Sequence, residues 1–204
     1  MEHMDGQKKR EDLKKRNIKN FIILLIVALL IVASFAYLSN RERAADEEVE
    51  KLTAVQEVLA RDLSSNYPPT PKEVLKYYSE ITRCFYSEEY SDEELVKLAE
   101  KSRELFDEQL QANQTEEEYI GDLKNEIAIF KDAGRSISSY SVAGSANVDY
   151  YRYEGAEWAK LNCIYSMRTE GKVKPTQEEF LLRKDADGHW KIFGWKLVKE
   201  EANE

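Results

Sequence analysis

Cysteine, histidine and glycine are scarce in this chain of 204 residues, which holds two Cys, two His and eight Gly. Two cysteines exclude a disulfide-rich scaffold, and without a CxxC pair or a Cys/His cluster they supply no zinc site. His3 lies in the N-terminal arm and His189 in a turn, so the folded part has no pair of histidines for a catalytic dyad or a His-rich metal site. The few glycines form no phosphate-cradling run, and GxSxG and HExxH are absent. An excess of base is missing too. Thirty Lys+Arg face 39 Asp+Glu for a net charge of −9, and an acidic surface repels phosphate, so no nucleic-acid partner is expected. No cofactor and no metal are expected. What the chain does have is 42% hydrophobic residues with three Trp, twelve Tyr and seven Phe, enough for a packed core. Its length suits one domain plus an appendage.

Phe21 to Leu38 reads FIILLIVALLIVASFAYL, without a single charge. As a helix it is about 27 Å long, close to the roughly 30 Å of a bilayer's hydrocarbon. The expectation is a single-pass transmembrane helix with the lipid bilayer as its partner. Lys8, Lys9, Arg10, Lys14, Lys15, Arg16 and Lys19 precede the run, whereas Arg41 and Arg43 are followed at once by Asp46, Glu47, Glu48 and Glu50. The positive-inside rule then places the N-terminus in the cytoplasm and the C-terminal part outside the cytoplasmic membrane. Ser34-Phe35-Ala36 loosely resembles a cleavage site, but the run outlasts a signal-peptide core and reads as an uncleaved anchor.

The expected organisation is a basic cytoplasmic tail over 1–20, the span over 21–38, a helical stalk over 39–66 and an extracytoplasmic domain over 67–204. In the stalk, Val49, Leu52, Val55, Leu59 and Leu63 recur at threes and fours. That stripe suits either self-association through the stalk or docking on the chain's own domain. Ser64-Ser65-Asn66-Tyr67-Pro68-Pro69 breaks the helix. Thr70…Glu73, Ser91…Glu94 and Thr115…Glu118 then fit capping boxes, each before an apolar face at helical spacing.

After Gly134 the period becomes two, with strands predicted over Ser136–Val142, Asn147–Tyr153, Trp158–Arg168, Glu178–Lys184 and Trp190–Val198. In the third, Ala159, Leu161, Cys163, Tyr165 and Met167 form the expected core face. The fold class is α+β, with three helices packed on a mainly antiparallel sheet of four to five strands.

Several residues are candidates for contact or chemistry. Tyr151 and Tyr153 share one face of a strand and suit partner contact, or else cross-strand packing. Tyr78, Tyr140 and Tyr165 are the phenols available for a carboxylate–tyrosine pair, but the spacing singles out no acid. Phe85 and Trp195 complete the set of pocket or partner residues. Cys84 and Cys163 both fall on predicted core faces, either as two buried thiols or as a helix–sheet disulfide.

The segment Arg183-Lys184-Asp185-Ala186-Asp187-Gly188-His189-Trp190-Lys191-Ile192-Phe193-Gly194-Trp195, following three capped helices, resembles the closing hairpin of cone-shaped domains like nuclear transport factor 2. The resemblance covers residues 70 to 198 and implies a strongly curved sheet. NYPPTPKEVLKYYSEITRCFY and FLLRKDADGHWKIFGW are similar to a family of single-span membrane proteins from Gram-positive gut anaerobes with no assigned activity. Cone-shaped domains serve as enzymes, ligand pockets and assembly modules. With no catalytic set in view, the expected function is a membrane-anchored, non-catalytic interaction and assembly module. Its expected partner is another envelope or membrane protein. The alternative is a small-ligand sensor or carrier using the cone's interior, and the third reading is a carboxylate–tyrosine enzyme.

Overall fold

The computed structural model describes residues 52–198. Hydroxyl caps start its helices. Thr53 and Gln56 exchange side-chain and backbone hydrogen bonds ahead of helix α1 (Ala54–Leu59). Thr70 accepts from the Glu73 N–H, and Pro71 occupies the first turn of α2 (Pro71–Ser87), where a missing N–H costs nothing. Ser91 with Glu94 opens α3 (Asp92–Glu104), and Thr115 with Glu118 opens α5 (Glu116–Asp132), both as reciprocal boxes. Thr70 makes only half of one. Between α3 and α5 lies a single turn, α4 (Glu108–Gln111), capped by the Asp107 carboxylate.

The sheet follows as β1 (Arg135–Val142), β2 (Asp149–Tyr153), β3 (Ala156–Thr169), β4 (Lys172–Lys184) and β5 (Trp190–Leu197), with a 3-10 turn at Ser145–Asn147. All pairings among these five strands are antiparallel. The order is β1-β3-β4-β5, and β2 shares with β1 the same edge of the long strand β3. Glu154-Gly155 and Glu170-Gly171 turn the β2–β3 and β3–β4 hairpins with positive φ at both positions, the twist-matched geometry that a glycine in second place permits. Between β4 and β5 the register slips, with Leu181 opposite Gly194 and Leu182 opposite Ile192, so Phe193 is bulged.

Helices cover one face of the sheet, with α2 against β1, β3 and β5. Leu75, Ile81, Leu98, Leu105, Leu161, Phe180, Leu182 and Ile192 are fully buried between the layers. Each such aliphatic or aromatic side chain contributes roughly 1.5–3 kcal/mol of transfer free energy. Ala159, Leu161, Cys163 and Tyr165 occupy the expected core face of β3, with Met167 half-buried.

Of the expected stalk, residues 39–51 lie outside the described residues. The remainder docks: Val55, Val58 and Leu63 enter the same core, and the Tyr77 hydroxyl donates to the Val58 carbonyl at 2.8 Å. Leu52, one of the expected stripe positions, is 52% exposed, and Val58 takes a core place instead.

The expected fold class placed a transmembrane helix ahead of this domain, with a single-pass location in the cytoplasmic membrane. That expectation is corrected: no helix among the described residues is long and apolar enough to cross a membrane. The longest, α2 and α5, have 17 residues each and carry charged side chains along their exposed faces. Phe21 to Leu38 lies outside the described residues.

Candidate functional site

Two groups of aromatic side chains stand out, one between the layers and one on the sheet's edge. The first begins with Tyr78, which α2 presents to the sheet. Its ring lies 5.8 Å from Phe180, 5.7 Å from Trp195 and 5.9 Å from Phe106. Trp195 stacks on Phe180 at 5.8 Å yet keeps 43% of its surface exposed. It forms the rim of an otherwise filled aromatic cluster. One residue further along α2, the Ser79 hydroxyl meets the Tyr165 hydroxyl at 3.0 Å and the Cys163 sulfur at 3.4 Å. The structure therefore brings Tyr78, Tyr165, Cys163 and Trp195 to one side of the sheet.

Glu178 belongs to the same face, because it alternates with Phe180 and Leu182 along β4. Burial raises its carboxyl above the ordinary range, and the nearby Glu126 carboxylate adds to the rise. Glu126 in turn accepts a 2.7 Å hydrogen bond from Tyr86, whose ring packs on Phe130. Burial also pushes the Tyr78 and Tyr165 phenols well up, so both are neutral hydrogen-bonding groups rather than bases. Glu178 is a half-buried acid on this face that spacing alone did not single out, while the candidate phenol bonded to a carboxylate is Tyr140, which donates to Glu80 at 3.0 Å. The signal for Glu178 was available in its phase, since it stands two residues from one core side chain and four from the next.

A prediction follows from that carboxyl. In the unfolded chain Glu178 titrates in the ordinary carboxylate range, whereas in the fold it holds its proton to higher pH. The native state thus binds more protons across that window, and stability is lost as pH rises through the raised value. Glu178→Gln removes the term. The variant is expected to melt higher than the parent at neutral pH and to match it at pH 3–4. Equal melting at both would show that this carboxyl is not perturbed.

The remaining candidates of α2 and β1 share this helix-covered side. Phe85 is a core residue. Tyr140 is half-buried on β1 and donates to Glu80 at 3.0 Å. Cys84 and Cys163 are both free and buried. Burial pushes the Cys84 thiol up to about 11 and raises Cys163 as well, which leaves little thiolate at neutral pH. His189 stacks on Tyr67 at 4.3 Å, beside a cavity of about 520 Å³ shared with Arg103, Glu104 and Lys191. Among the described residues no cluster of His, Cys, Asp or Glu is fit to hold a metal ion.

The second group lies on β2, whose residues are all exposed. Tyr151 and Tyr153 lie on the outer face, and Tyr150 turns toward the helix side, 5.8 Å from Trp190. Tyr151 stacks parallel to Trp158 at 6.4 Å, and the Trp158 indole donates to the Tyr153 carbonyl at 3.1 Å. Below them the Arg183 guanidinium lies 5.5 Å from Trp158 and 5.3 Å from Phe193, and it is tied to Asp107 by bonds of 2.9 and 2.6 Å. The exposed tyrosines therefore stand on a fixed base.

These features define an α+β domain whose antiparallel sheet is covered by helices on one face and edged with tyrosine. The chain belongs to the family described as Domain of unknown function (DUF6715), which matches residues 4–195. Comparison with the curated proteins gives no match.

Proposed function

We propose that the domain is a non-catalytic interaction module that takes an extended segment of a partner protein along β2. The observation that carries this reading is the exposure of Tyr150, Tyr151 and Tyr153, at 55%, 41% and 58%, on a strand whose only neighbour among the described residues is β3. A strand with one neighbour leaves a row of backbone donors and acceptors for an added strand. Tyrosines beside it supply large contact area at little cost in side-chain entropy. The filled aromatic layer between helices and sheet supports assembly over catalysis, and the buried phenols and thiols offer no activated nucleophile. The resemblance to nuclear transport factor 2-like cones belongs to this proposal, because helices preceding an antiparallel sheet and packed on one of its faces suit that arrangement.

The test is crosslinking and affinity recovery of the full-length protein from its own cells, beside a Tyr151→Ser/Tyr153→Ser variant. Stoichiometric recovery of a partner with the parent is expected, and a loss of at least about thirtyfold in affinity with the variant, as for truncated hot-spot aromatics. Exposed positions tolerate change, so thermal stability should move by no more than about 1 kcal/mol. Equal partner recovery by both proteins would remove β2 from the interface.

A second reading, binding of a small ligand at the rim of the helix–sheet layer, draws on Trp195 and Glu178. An exposed indole over buried rings, beside a carboxyl of raised proton affinity, is the kind of apolar site with a few polar groups that ligands use.

A further inference from the structure

We propose that the cavity at the far end of the β3–β4 hairpin binds a small molecule through an oxyanion group, phosphate or carboxylate. The cavity measures about 430 Å³, a size suited to a small ligand. Strand register builds it. Arg135, Thr169 and Lys172 form one row across β1, β3 and β4; Met167 and Lys174 form the next; Thr176 stands beyond them opposite Tyr165. Residues paired across antiparallel strands, and residues two apart along a strand, point to the same face. Three cations and two hydroxyls thus converge around one thioether.

None of the three cations pairs with an acid among the described residues, although the chain as a whole carries a net charge of −9. Glu170, in the hairpin turn, is the single acid on the lining. The local field is therefore opposite in sign to the surroundings, and mutual repulsion among Arg135, Lys172 and Lys174 falls when an anion enters. A guanidinium grips an oxyanion through two parallel N–H donors, the lysines add point charges, and Thr169 and Thr176 donate hydroxyl hydrogens. Met167 gives the ligand's carbon skeleton an apolar floor. A long nucleic acid fits poorly, since no aromatic ring lines the cavity for a base to stack on and the acidic remainder repels a phosphate chain. β5 ends its ladder opposite Glu178, so no described strand covers β4 beyond that point.

The test is thermal melting and calorimetric titration of the full-length protein with inorganic phosphate and, separately, with citrate, at constant ionic strength against chloride. A saturable rise in melting temperature with either anion is expected, and which anion acts identifies the oxyanion. Arg135→Gln/Lys174→Gln should melt normally in chloride, because both side chains are exposed, yet bind at least about tenfold more weakly. Lys172→Gln serves as a milder second variant should the double one misfold, and Lys124→Gln, on α5, should bind like the parent. No saturable shift with either anion, or the same shift in parent and cavity variants, would overturn the proposal. Its failure would leave the tyrosine edge of β2 untouched, because the two surfaces share no residue.

Discussion

Asp107→Ala is expected to lower the stability of this domain by about 3 kcal/mol, near the lower end of the cost of breaking a buried ion pair from one side. The Asp107 carboxylate is 4% exposed and receives the Arg183 guanidinium through two bonds and the Gln109 N–H at 3.0 Å. Removing it strands a guanidinium that is 24% exposed, and it also uncaps α4. The same residue fastens the α3–α4 corner to the sheet. Its N–H donates to the Ile192 carbonyl, and the Ile192 N–H donates to the Leu105 carbonyl, both at 2.8 Å. Arg183 keeps its stacking on Trp158 and Phe193 and some access to water, which holds the loss near the lower bound. Chemical denaturation with an unchanged m-value would read the effect. Adding Arg183→Met to Asp107→Ala should recover part of it, because the uncompensated charge leaves with the arginine. A loss under 1 kcal/mol for the single variant would mean that water already screens the pair.

Little of that arrangement was legible beforehand. Asp107 is one of 39 acids, and its partner lies 76 residues away, a distance over which spacing carries no information. Local signals fared better. The Ser91 and Thr115 boxes depend only on residues three apart, and the core face of β3 follows from simple alternation. The predicted start of β4 at Glu178 falls six residues late, since the strand begins at Lys172. Pro175 and a polar run hid its first half. Over that stretch β4 pairs with β3 alone, so a proline without an N–H is tolerated and no alternation is imposed. The bulge at Phe193 was likewise hidden, although Gly194 beside it marks where a strand bends most readily.

The tyrosines show how far residue type alone can lead. Tyr78 meets Trp195, and Tyr140 stands opposite Tyr165 on the same helix-covered face, whereas Tyr151 and Tyr153 lie on the other face of the sheet. The difference lies in phase and in which strand faces a helix. Tyr165 alternates with Leu161 toward α2, while Tyr151 stands opposite Trp158 on the uncovered face.

Phe180→Ala should remove about 3–5 kcal/mol, the usual cost of deleting a fully buried aromatic ring. Phe180 sits mid-strand between Leu161 on β3 and Trp195 on β5, beneath Tyr78. The ladders to β3 and β5 hold the strands on either side in place, so the space is only partly refilled and the cavity's cost is added to the lost transfer free energy. The readout also reports on the candidate rim. Trp158 and Trp190 are buried, so iodide quenching of tryptophan fluorescence falls mainly on Trp195. Loss of the ring stacked against it should shift the emission to longer wavelength and increase quenching. Phe180→Leu should cost less and move the fluorescence less, because it restores most of the volume but not the aromatic face. A stability loss below about 1 kcal/mol for Phe180→Ala, with unchanged quenching, would show that Trp195 does not rest on this ring. The second, ligand-binding reading of the rim would then lose the fixed aromatic floor on which it depends.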